Sequence, residues 1–189
     1  MQFSSLSDSN IKRSFADAVV EGLAPDKGLY FPDHIPELPE SFWFSYDDKN
    51  PWDFGAEMLA PFTEGCLTKT ELREILRDVL NFPIPLHEIE RGVFSLELFH
   101  GPTLAFKDVA MQLLALLMDH ALVRLGRRAT IVGATSGDTG GAAIEAFRGS
   151  KATDIFILYP KGRVSDVQRK QMTTPDEANV HTIAIDGNF

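Results

Sequence analysis

The stretch Ala129-Thr130-Ile131-Val132-Gly133-Ala134-Thr135-Ser136-Gly137-Asp138-Thr139-Gly140-Gly141 decides how the rest of this chain is read. Its first six residues form one apolar run of strand length, its middle is a loop of hydroxyls and glycines, and its end opens a helix with small residues. A strand feeding a helix through so short a loop is half of a parallel βαβ unit. The unbroken apolar character of Ala129 to Ala134 predicts a strand covered on both faces.

Outward from this point the alternation continues. Gly140 to Phe147 reads as a helix stopped by Gly149, Asp154 to Tyr159 as a strand, and Ser165-Asp166-Val167-Gln168 as a capping box opening a short helix. Val180 to Ile185 is a further strand, followed by the turn Asp186-Gly187-Asn188. On the other side, Lys107 to Leu125 is apolar almost all round, which predicts a helix buried between layers. Val93 to Phe99 reads as a strand with Phe94, Leu96 and Leu98 on one side. The region from residue 92 to 189 is therefore expected to be α/β with a parallel sheet.

Residues 1 to 91 differ in character, being rich in Pro, Phe and acidic side chains, and are expected to form a separate mixed α+β domain. Ser14 caps a predicted helix reaching Leu23, Pro25 and Gly28 break it, and Leu29-Tyr30-Phe31 reads as a short strand. Trp52 to Phe62 is a predicted helix. Thr68-Lys69-Thr70-Glu71 is a capping box whose helix reaches about Asn81, before Pro83 and Pro85.

The net charge of −9 argues against nucleic acid, whose phosphates are held by clustered Lys and Arg. Cys66 is the only cysteine, which excludes an intrachain disulfide and a cysteine-based metal site and fits a reducing cytoplasm. The opening residues lack the basic and apolar segments of a signal peptide. Met111 to Val123, the longest apolar stretch, contains Asp119 and His120 and falls short of the ~20 residues of a membrane span. An acidic chain must bind an anionic metabolite through local donors rather than a long-range field.

Two loops at the expected carboxyl ends of strands carry such donors. In Phe99-His100-Gly101-Pro102-Thr103-Leu104-Ala105-Phe106-Lys107-Asp108, a lysine stands at the head of an apolar helix. Desolvation and the positive end of the helix dipole both disfavour its charge there, and a neutral amine can add to an aldehyde. The alternative is a first-turn surface lysine beside an acid that stabilises the helix by ~0.3–1 kcal/mol. His100 and Thr103 could orient a substrate. In the second loop, Gly133 to Gly141, two hydroxyls, glycine amides and a helix N-terminus make an anion site; the simpler alternative is that Thr135 or Ser136 is an ordinary helix cap. The loop lacks the Lys-Ser or Lys-Thr of a Walker A motif, the glycine spacing of a dinucleotide fingerprint, and the glycines that a nucleophile elbow around Ser136 requires.

Together, His100 to Asp108 and Ala134 to Gly140 closely resemble the threonine synthases. So do Ser14-Phe15-Ala16-Asp17-Ala18-Val19, Gly28-Leu29-Tyr30-Phe31-Pro32, Ile157-Leu158-Tyr159-Pro160-Lys161-Gly162 and Ala184-Ile185-Asp186-Gly187-Asn188-Phe189. The resemblance implies the tryptophan-synthase-like fold, type II among enzymes of pyridoxal 5'-phosphate (PLP), a three-layer parallel-sheet architecture present here in part and preceded by the amino-terminal domain. It implies that Lys107 carries the cofactor and moves protons, that Phe106, Ser136, Gly137, Asp138 and Thr139 contact the cofactor, and that His100, Thr103, Thr135, Ser136, Gly137 and Thr139 contact the substrate. Asp138 stands where many relatives of the fold carry Asn. The implied reaction converts O-phospho-L-homoserine and water to L-threonine and phosphate. Members of the family are more than twice this long, so the chain is expected to be an inactive amino-terminal fragment. It would lack the later half that grips the PLP phosphate, and its exposed apolar surface would favour self-association. Other readings are a different type II lyase, such as a threonine dehydratase, or a non-catalytic module binding phosphorylated amino acids.

Overall fold

A computed structural model describes residues 1–45, 50–135 and 137–187 of the chain. These divide into two compact units, one of residues 1–80 with 120–126 and one of residues 81–119 with 127–189.

The first unit opens with a three-stranded antiparallel sheet in the order β2-β1-β3, formed by β1 (Phe3–Ser5), β2 (Lys12–Arg13) and β3 (Tyr30–Pro32). Helix α1 (Phe15–Glu21) is capped by Ser14, whose hydroxyl accepts from Asp17 N at 3.2 Å. It ends at Gly22 with φ +71°, short of the expected Leu23, which lies exposed. Helices α2 (Glu40–Phe44) and α3 (Pro51–Leu59) bring Phe42 and Phe54 into a stack at 4.5 Å. Helix α4 (Lys69–Val79) carries the complete capping box: Thr68 Oγ1 accepts from Glu71 N at 3.2 Å, and Thr68 N donates to Glu71 Oε2 at 2.7 Å. Its buried stripe of Leu72, Leu76 and Val79 follows the i, i+4, i+7 spacing of one helix face. Cys66 is buried nearby, and its carbonyl accepts from Arg124. Burial pushes the Cys66 thiol above its ordinary pKa, only partly opposed by the Arg124 charge.

The second unit holds a hairpin and a parallel sheet. Strands β4 (Leu86–Glu90) and β5 (Val93–Leu96) pair antiparallel around Gly92, whose φ of +81° suits the turn. The expected strand to Phe99 thus ends at Leu96, because its partner begins at Leu86, opposite that residue. It lies outside the parallel sheet, which consists of β6 (Ala129–Ala134), β7 (Thr153–Pro160) and β8 (Val180–Ile185) in sequential order. Helix α6 (Asp138–Phe147) joins the first two strands, and α7 (Asp166–Thr173) joins the last two. Right-handed crossovers between strands in sequential order put both helices on one face of the sheet.

Exposure follows that geometry. Ile155 and Ile157 point under the helices and are buried with Ile144, Phe147 and Met172. On the opposite face, Val132 is 69% exposed and Ile183 46%. The expectation that β6 is covered on both faces therefore fails: its residues alternate between partly covered and exposed. The long helix α5 (Lys107–Leu125) departs in the same way from the expected burial between layers. Ala115, Leu117, Met118, Ala121 and Leu122 are buried, whereas Val123 is exposed. In both elements the uninterrupted apolar run prepares two faces, and the described residues cover one. Asn179 locks the lower end of the sheet, donating to Phe147 O and Thr153 O at 2.9 Å each and accepting from Gly149 N at 2.9 Å. Among the described residues no helix is long and apolar enough to cross a membrane.

One-sided coverage has a measurable signature. Ile155→Ala is expected to lower unfolding free energy in urea by ~2–5 kcal/mol. Val132→Ala, on the open face, is expected to change it by no more than ~0.5 kcal/mol.

Candidate active site

The loop after β5 turns tightly into α5. Leu104 N donates to Gly101 O at 3.1 Å and Asp108 N to Ala105 O at 3.0 Å, with Leu104 held at φ +60°. Asp108 is wholly buried. Its carboxylate accepts from Thr103 N at 2.9 Å and from the Thr103 hydroxyl. A side chain on Gly101 would put its Cβ 2.7 Å from Asp108 Cβ, so that position must remain glycine for the acid to fit. Gln171, on α7, donates to Thr103 O at 3.1 Å.

Lys107, the next residue, reaches across to the second loop. Its Nζ lies 3.1 Å from Asp138 Oδ2, an ion pair with both partners partly covered, and 4.1 Å from the centre of the Phe106 ring. The Asp138 carboxyl is held below its usual range, first by the hydrogen bond from Lys107, then by the lysine's charge and the amides of Asp138 and Thr139; desolvation opposes this.

The second loop starts its helix earlier than the expected Gly140. Helix α6 begins at Asp138, with Gly137, which has no side chain, in the capping position and the Asp138 carboxylate itself hydrogen-bonded to the Asp138 and Thr139 amides. Thr135 is not the helix cap: its hydroxyl accepts from Gly137 N at 3.4 Å, and Gly137 takes the capping position. Ser136, expected to contact both cofactor and substrate, lies outside the described residues. Gly137 sits under the Gln168 amide, and Gly140 allows close packing, its absent Cβ falling 2.8 Å from Met172 Sδ.

These elements border a groove of about 540 Å³ whose walls include Leu98, Phe99, Leu104, Phe106, Asp138 and Gln168. Among the expected site residues, Thr103, Phe106 and Asp138 line this groove, Lys107 is joined to it through its ion pair with Asp138, and Gly137 and Thr139 stand at the adjoining helix start. His100 is turned elsewhere, its Nε2 2.7 Å from Glu97 Oε2. The sequence reading missed the groove contributions of Leu104, Gln168 and Gln171. Of the capping box expected at Ser165 to Gln168, the structure shows the hydroxyl half, in which Ser165 Oγ accepts from Gln168 N at 3.3 Å, while Gln168 Oε1 accepts from the Ser165 hydroxyl at 3.0 Å. The i, i+3 spacing of Gln168 and Gln171 was the available signal, since it places both amides on one side of α7.

A lysine heading one helix, paired with the first-turn acid of the next across a parallel α/β unit, sits on the first part of the tryptophan-synthase-like fold, type II. This is the fold of a PLP-bound threonine synthase from Brucella melitensis, which the chain matches with a TM-score of 0.90 and 48% sequence identity, covering 100% of this chain and 42% of that one. Threonine synthase from Escherichia coli matches with a TM-score of 0.89 and 38% identity, covering 100% of this chain and 44% of that one. In sequence, the threonine synthase of Pseudomonas aeruginosa is 44% identical over 181 residues, 93% of this chain and 39% of the relative. Residues 2–79 match the family described as threonine synthase N terminus. The chain matches the amino-terminal portion of threonine synthases, spanning about two fifths of the length of these relatives.

The Lys107–Asp138 pair has a predictable acid response. A lowered carboxyl contributes stability that is fully present above the unfolded value of about 4 and disappears as pH falls through the folded value. Because Asp138 is half exposed, the contribution should stay below ~1 kcal/mol. Melting curves of the parent and Asp138→Asn should therefore differ slightly at pH 7 and converge as the pH drops below about 4.

Proposed function

We propose that this chain supplies the lysine-bearing part of a threonine synthase, which converts O-phospho-L-homoserine and water to L-threonine and phosphate with PLP. Residues 1–91 would form its amino-terminal domain and 92–189 the first part of its catalytic domain. The observation that carries this reading is the meeting of the two loops: the Lys107 amine stands 3.1 Å from Oδ2 of Asp138, which lines a largely apolar groove.

The residues present fit the cofactor. A flat aromatic ring suits walls made by Leu98, Phe99 and Phe106, and the amine of Lys107 is the group that would hold an aldehyde. When bound, PLP supplies an electron sink for carbanions at the substrate. Phe106 would flank the cofactor, and the loop of Thr135, Ser136, Gly137, Asp138 and Thr139 would receive the substrate carboxylate at the head of α6, where the capping residue Gly137 has no side chain. Once free, the Lys107 amine would take and return the proton at the substrate carbon, a role suited to a flexible four-carbon stem. Asp138 would anchor that amine between transfers. His100 and Thr103 would orient the substrate, which requires His100 to leave Glu97.

Purified protein mixed with PLP and reduced with borohydride is expected to carry label on the peptide containing Lys107, and Lys107→Arg to carry none there. Label spread over surface lysines, or absent, would refute the assignment. The 189-residue chain alone is expected to take up the cofactor weakly and to release no phosphate from O-phospho-L-homoserine above background; robust release in a phosphate assay would contradict that part.

A further inference from the structure

A first-turn acid that merely balances a helix dipole can do so from the surface, and Asp108 does not stay there. It is wholly buried, beneath a loop whose neighbouring side chains Leu104 and Phe106 are 70% and 60% exposed. Burying a carboxylate is costly unless donors surround it. Here both donors come from Thr103, the residue just before Leu104. Leu104 in turn has a left-handed backbone, φ +60°, which a branched side chain adopts only where its surroundings over-determine it. The required surroundings are present: Asp108 fills the space left by Gly101, clamps Thr103 by backbone and hydroxyl, and Gln171 holds the Thr103 carbonyl from the other side.

From this, and resting on the reading of Lys107 as the cofactor-carrying residue, we infer that Asp108 is a positioning residue: through Thr103 it fixes the loop 101–106, so that Leu104 and Phe106 wall the groove and the Lys107 amine meets Asp138. Asp108 touches neither ligand nor amine in this role. It acts through the backbone one turn before the lysine, converting a mobile approach to the helix into a fixed one, which is how binding geometry is held without contact.

The test compares Asp108→Asn, Thr103→Val and Thr103→Ser with the parent. One readout is the rate at which PLP becomes trapped on Lys107 by borohydride, measured on that peptide by mass. The second is amide hydrogen exchange across residues 101–106, and melting curves report folding. Asp108→Asn and Thr103→Val should slow trapping about tenfold or more and speed exchange in that segment, while both proteins still melt cooperatively. Thr103→Ser returns the hydroxyl and should recover most of the loss. Should Asp108→Asn fail to fold, the Thr103 pair decides alone, since it exchanges a hydroxyl for a methyl group of similar shape. Trapping within about twofold of the parent in Thr103→Val, or Thr103→Ser as slow as Thr103→Val, overturns the inference. An unlabelled parent removes the premise and the inference together, whereas a labelled parent with unaffected variants removes the inference alone.

Discussion

The contact between Lys107 Nζ and Asp138 Oδ2 is the constraint on which the candidate site depends, because it is what brings its two loops together. It joins the heads of two helices that arise from separate loops, and each charge answers a need at the other's position. A cation at the start of α5 is disfavoured by the helix dipole, while an anion at the start of α6 is favoured. Pairing them lets the unfavourable placement of the lysine persist without sending the side chain into solvent. The first loop carries a left-handed bend at Leu104, and the second starts its helix behind Gly137, a capping residue without a side chain.

Much of this architecture was legible in the sequence, and the reasons differ by element. Strands β6, β7 and β8 and helices α6 and α7 announced themselves because apolar runs of strand length alternate with capped helical segments, a pattern that depends on local spacing alone. The Thr68 box survived in full because both of its partners lie three residues apart. The site residues Lys107 and Asp138 could be named from their loops, but their direct pairing could not, since it joins positions 31 residues apart. The same limit hid Gln171 bonding to the Thr103 carbonyl, 68 residues away. Asp108 was visible and misjudged: a first-turn acid has so common a local explanation that its burial under Gly101 leaves no separate trace in sequence.

Strand β4 was missed for another reason. Leu86-His87-Glu88-Ile89-Glu90 has no buried face, and its exposure throughout means that burial never imposed a two-residue rhythm on it. Its pairing with β5 rests on backbone hydrogen bonds and the Gly92 turn. The opposite error came from β6 and α5, where apolar composition promised two covered faces. Composition reports what surfaces a segment could bury; which of them meet a neighbour is decided by elements elsewhere in the chain.

The lone thiol in the first unit offers a practical gauge. Cys66 is shut away and its proton is held more tightly than in a free cysteine, so both access and thiolate supply are low in the folded chain. Reaction with an alkylating dye must then wait for this part of the protein to breathe. The pace of modification becomes a clock for local opening around α4, read without adding any probe to the molecule.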